Sequence, residues 1–159
     1  MSLARHLILI LLLYLSFAPS LSSQSPFADE SPVKVNLREA VFRYMFQHYN
    51  YGSYVKVFCI QPERPQPERF LLRFANVKPH VVWASDCELA GPMNGVKYKK
   101  TGESGMRMTL VTVQWISGGE AEARVEAFSD GIAANWNILR IVFKDGRWIV
   151  KSDKLDGVS

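Results

Sequence analysis

The spacing of apolar positions changes character three times along the chain. Residues 7–18 are apolar apart from the hydroxyls of Tyr14 and Ser16. From residue 36 the spacing is helical: Leu37, Val41, Tyr44, Met45 and His48 recur every three or four residues, and Phe42, Phe46 and Tyr49 widen that face. Asn36 is a good N-cap residue and Glu39 completes a capping box, so a helix is expected to start there. Asn50 and Gly52 should end it. So aromatic a helix needs burial around most of its circumference, which predicts a sheet curling about it.

Beyond the helix the period shortens to two. Residues 54–61 read as a strand with Val55, Val57 and Cys59 on one face. Pro62, Pro65 and Pro67 mark a loop, and Pro67 suits the first position of a short second helix with Phe70, Leu71 and Phe74 inward and Arg69 and Arg73 in water. Residues 81–87 are apolar and extended, and 91–105 are loop or hairpin material with a turn at Asn94-Gly95. Residues 106–116 then alternate, with Met106, Met108, Leu110 and Thr112 opposite Arg107, Thr109, Val111 and Val113. Segments 121–128 and 138–143 follow, and Asp145-Gly146 is the strongest hairpin signal before a last strand around Trp148 and Val150. Helices in front and a strand meander behind predict an α+β domain.

Composition changes this picture at the N-terminus. Arg5 and His6 precede the apolar run, Pro19 ends it, and Ser20 and Ser22 supply small residues for a peptidase. The run is about a dozen residues, short of the roughly 20 that a spanning helix needs. The expected organisation is a signal peptide over 1–22, a flexible lead-in over 23–35, and a single α+β domain over 36–159. Cleavage after Ser20 or Ser23 is a near alternative. The chain is thus expected to be exported, to the periplasm or the extracellular space, without a stable membrane anchor after cleavage.

Export bears on the two cysteines, Cys59 and Cys87. An even pair in an oxidising compartment is most simply a disulfide, contributing about 3–4 kcal/mol on the chain-entropy account. They are too far apart for a zinc site, and a catalytic thiol would leave the other unexplained. The formal charge of +4 falls to +3 when Arg5 leaves with the signal. Lys97, Lys99 and Lys100 form the one basic cluster, beside a turn, which reads as a solvated loop and not a nucleic-acid surface.

The element order, with the ending Lys144-Asp145-Gly146-Arg147-Trp148-Ile149-Val150, resembles the NTF2-like and cystatin-like class of α+β folds. Phe58-Cys59, Ser85-Asp86-Cys87, Thr101-Gly102 and Gln114-Trp115-Ile116 are similar to patterns in uncharacterised secreted bacterial domains. The resemblance implies an N-terminal helix and a short second helix packed on a curved antiparallel sheet. NTF2-like enzymes hold an Asp, Tyr or His inside the cone so formed, and the resemblance puts Tyr44, His48, Asp86 and Trp136 there as a candidate pocket. Read alone, His48 is a helix-end residue and Asp86 a turn residue. Gln114-Trp115-Ile116-Ser117-Gly118 resembles the protease-wedging hairpin of cystatins, with Ile in place of Val and a later position in the chain.

The chain carries no nucleophile triad signature, phosphate-cradling glycine loop or dense acidic cluster, so no catalytic residue, cofactor or metal is expected. The leading expectation is an exported non-enzymatic domain that binds a protein or small apolar ligand, or supports an envelope process. The alternatives are an isomerase- or dehydratase-type enzyme with a pocket under the sheet, and a cystatin-like inhibitor.

Overall fold

A computed structural model of the chain describes residues 31–49, 53–91, 95–129 and 134–158. Helix α1 spans Pro32–His48, with Ser31 as an extended N-cap and proline at the first helical position. It therefore begins five residues before the predicted start, with Ser31 and not Asn36 as N-cap: Pro32 already has the φ a first turn needs and loses no bonded N–H there. The expected capping box does not form. Asn36 Oδ1 accepts from Arg73 at 3.0 Å, and Glu39 pairs with Arg73 at 2.5 Å and Arg43 at 2.8 Å. The helix closes as Tyr49 N–H donates to Met45 O. The predicted stop residues Asn50 and Gly52, and the predicted signal peptide, lie outside the described residues.

Among the described residues eight strands follow: β1 (Val57–Gln61), β2 (His80–Trp83), β3 (Cys87–Leu89), β4 (Val96–Tyr98), β5 (Ser104–Ser117), β6 (Glu120–Phe128), β7 (Ala134–Lys144) and β8 (Arg147–Val158). The sheet runs β2-β1-β5-β6-β7-β8, with the β3–β4 hairpin joined through β4 to the start of β5. β5 to β8 form the expected antiparallel meander, but β1 is parallel to both its neighbours.

The expected NTF2-like or cystatin-like architecture is thereby overturned, while the coarse α+β class stands. The sheet is mixed, and the predicted second helix is a 3-10 segment over Glu68–Phe74. Alternation reports which face a side chain takes and says nothing of strand direction. Parallel neighbours need a long connection, and the proline loop with the 3-10 segment supplies it between β1 and β2. Within that segment Phe70 and Phe74 are buried as expected and Leu71 is half-buried, while Arg73 is held by Glu39.

Both faces of β1 are covered: Val57, Phe58, Cys59 and Ile60 are all buried. Phe58 and Ile60 face α1 and join the main core with Leu37, Val41, Phe42, Met45, Met106, Met108, Leu110, Leu139 and Ile141. Val57 and Cys59 face the other way, into a second cluster with Val82, Cys87 and Val96. The predicted grouping of Val55 with Val57 and Cys59 fails, because Val55 precedes the strand and packs in the main core.

A β-bulge between Leu110 and Thr112 corrects a second expectation. It inserts one residue and resets the alternation, so that Val113, predicted on the polar side, packs against the main core. At the other hairpin, Asp145 and Gly146 take φ of 52° and 77°, the left-handed pair a tight two-residue turn requires.

Candidate functional site

The four residues proposed from sequence do not form one pocket. Tyr44 and His48 stack on each other with ring centroids 3.8 Å apart, on the last turns of α1, and His48 is exposed. Asp86 is exposed in a 3-10 turn (Ala84–Asp86) leading into β3. Trp136 is on β7, on the sheet face turned away from α1, opposite Glu126 of β6.

What Tyr44 meets is a carboxylate that the sequence reading did not single out. Asp153 Oδ2 accepts from the Tyr44 hydroxyl at 3.1 Å and the Tyr49 hydroxyl at 2.6 Å, and its Oδ1 accepts from Asn137 Nδ2. Burial first, then the Asp153 charge and its hydrogen bond, push the Tyr44 phenol up from 10.0 to about 12. The phenol therefore keeps its proton throughout the neutral range. Both carboxylate oxygens are occupied by donors from the sheet and helix, so the cluster works as a tie between α1, β7 and β8.

A cleft of about 630 Å³ opens past the carboxyl ends of the parallel strands β1 and β2. Its walls come from the proline loop after β1 and from Trp83 and Ser85 after β2. Irregular chain at both strand ends leaves this space because the three prolines cannot continue the ladder. Trp83 is held as a wall by stacking on Phe70, centroids 6.2 Å apart, and by its indole N–H donating to Glu68 at 2.9 Å. Gln66 lines the cleft at 9% exposure; its Nε2 donates to Pro65 O, and its buried Oε1 has no partner. Such an orphaned acceptor costs about 1–3 kcal/mol.

On the far side, Arg107 donates to Gln61 Oε1 at 2.6 Å. These two residues also line a shallower groove of about 470 Å³ on the sheet face away from α1, which reaches Trp136. Cleft and groove thus share the Arg107–Gln61 pair, and each has a tryptophan in its lining. Sequence reading placed Arg107 only as the polar side of an alternating strand. Its significance lies in being a cation next to β1, whose other residues are buried.

Cys59 and Cys87 are bonded, with Cα atoms 6.3 Å apart, which pins the start of β3 to β1 beneath this groove. The packing there is tight: a Cβ on Gly105 would stand 3.1 Å from Cys59 Sγ and 3.3 Å from Val96 Cγ1. Among the described residues no group of three or more His, Cys, Asp or Glu is placed to hold a metal ion. No helix of the described residues is long and apolar enough to cross a membrane.

Comparison with family models, curated proteins and solved structures found no significant match to this chain.

Proposed function

We propose that this chain is an exported, non-catalytic binding domain, and that its ligand lies in the adjoining cleft and groove centred on Arg107 and Gln61. The observation that carries this reading is that the two share that pair, with Trp83 lining one and Trp136 the other. Aromatic walls offer apolar area, and a partly buried guanidinium offers a charge-assisted hydrogen bond. A ligand of complementary chemistry has an apolar body and an acceptor or anionic group. It can be a small molecule or a side chain of a protein.

The separation of Tyr44 and His48 from Asp86 and from Trp136 supports binding over catalysis, since acid–base chemistry needs its groups within hydrogen-bond reach of one another's substrate atoms. The disulfide fits an oxidising compartment.

Anilinonaphthalene sulfonate, which joins an apolar body to an anion, is a suitable probe. Titration should give saturable fluorescence enhancement, weakened about tenfold by Arg107→Met, the size expected for a lost charge-assisted hydrogen bond. Trp136→Ala should weaken it as well. Non-saturable enhancement, or saturation indifferent to both substitutions, would remove the groove from consideration.

A further inference from the structure

β5 is longer than the strand that covers its outer edge. Over residues 104–105 it pairs with β4, and over 105–109 with β1. Among the described residues it pairs only with β6 from Leu110 to Ser117. Pro62 follows β1 directly and carries no N–H with which to continue the ladder. Along this open stretch every second residue of β5 turns its N–H and C=O away from β6, toward no other strand of the described residues.

Open edges are usually blunted by charge, proline, shortness or a bulge. β2 is four residues long, and β8 carries Lys151, Lys154 and Asp156 with two register shifts. β5 has bulges at Leu110/Thr112 and at Trp115/Ser117, and a regular stretch between them. From Met108 to Ser117, however, it has neither charge nor proline, and half of its residues are β-branched, with Trp115 37% and Ile116 45% exposed. Beside this edge, on the α1 side, is a slot of about 170 Å³. Leu37, Val113 and Trp115 give it an apolar floor, and Lys34, Arg64 and the Arg38–Glu63 ion pair bring three cations and one carboxylate to it.

We propose that the open edge of β5 takes an added strand from a partner protein: an extended segment whose side chains toward α1 are apolar with an acidic residue among them. Backbone hydrogen bonds would supply the affinity, and the slot the selectivity. The apolar side chains cover Val113 and Trp115, and the carboxylate meets Lys34. A second copy of this chain fits less well. Antiparallel pairing of β5 with itself places both copies of α1 on the same side of the joined sheet. Lys34 and Arg64 would then meet their own counterparts, and the strand offers no acidic residue between Met108 and Gly119 to offset them.

The test uses the oxidised chain with amide hydrogen exchange as the readout. The probe is a blocked heptapeptide, Thr-Val-Thr-Glu-Thr-Val-Thr, which presents Val, Glu and Val on one face, together with its counterpart bearing Lys in place of Glu. The Glu peptide should slow exchange within residues 111–116 saturably, and the Lys peptide should bind about fivefold more weakly. Lys34→Glu should reverse that preference. It lies in the first turn of α1, where an acidic residue suits the helix dipole, so the fold is expected to persist. No protection at millimolar peptide would overturn the proposal. So would protection that rises with protein concentration alone, the mark of a second copy, or a preference that Lys34→Glu leaves unmoved.

Discussion

Tyr44 ties pH to stability through a single proton. The folded chain holds that proton up to about 12, while an unfolded tyrosine releases it near 10.0. Between these values the folded state binds more protons than the unfolded one, so its stability falls as pH rises; below the lower value the contribution is complete. Denaturant titrations across this window should show that decline, and Tyr44→Phe should flatten it while lowering stability at neutral pH. Arg38 makes a different case. It is 3% exposed on α1, and its guanidinium grips Glu63 through Nε at 2.9 Å and Nη2 at 2.5 Å. Arg38→Ala should cost about 3–5 kcal/mol in unfolding experiments, because it strands a largely buried carboxylate, and adding Glu63→Gln should restore part of the loss. Neither role was legible in the sequence. Arg38 adjoins the apolar face but its partner is 25 residues away, and Asp153 lies more than a hundred residues from the tyrosines it binds.

At the scale of elements, what could be read was what local pattern controls. The α1 face, the β5–β8 strands, the Asp145-Gly146 turn and the Cys59–Cys87 bond all follow from periodicity, turn chemistry or cysteine count. The misses share a cause too. Strand direction, the bulge that carries Val113 inward, and the shortening of the second helix to a 3-10 segment are all set by distant packing. The bond anchors a stretch, 84–91 and 95–103 among the described residues, whose strands are three residues each before β5 begins. Cys59→Ser or Cys87→Ser should cost about 2–5 kcal/mol in denaturant unfolding. Limited proteolysis of either variant should cut first within that stretch, while the main core on the opposite face keeps its protection. Equal loss of protection on both faces would show that the two clusters unfold as one.

For the whole molecule, the reading as an exported domain turns on processing at the N-terminus. The secreted chain should begin between Leu21 and Gln24 when sequenced from its N-terminus. An uncleaved chain recovered from the membrane fraction would contradict that reading. The candidate groove was illegible at this scale for a simple reason. Gln61, Arg107 and Trp136 come from three strands, and only the order in which the strands lie in the sheet brings them to one face.

The parallel seam between β1 and β5 also fixes an order of events. Val57 pairs with Gly105, so β1 has no neighbour on that side until nearly fifty further residues have been made. α1 meets Phe58, Phe70 and Phe74 early, but the strands it touches most, β5 and β8, are made later. A chain emerging N-terminus first therefore completes its meander before α1 is fully covered. The last strand made is the one that closes over the helix.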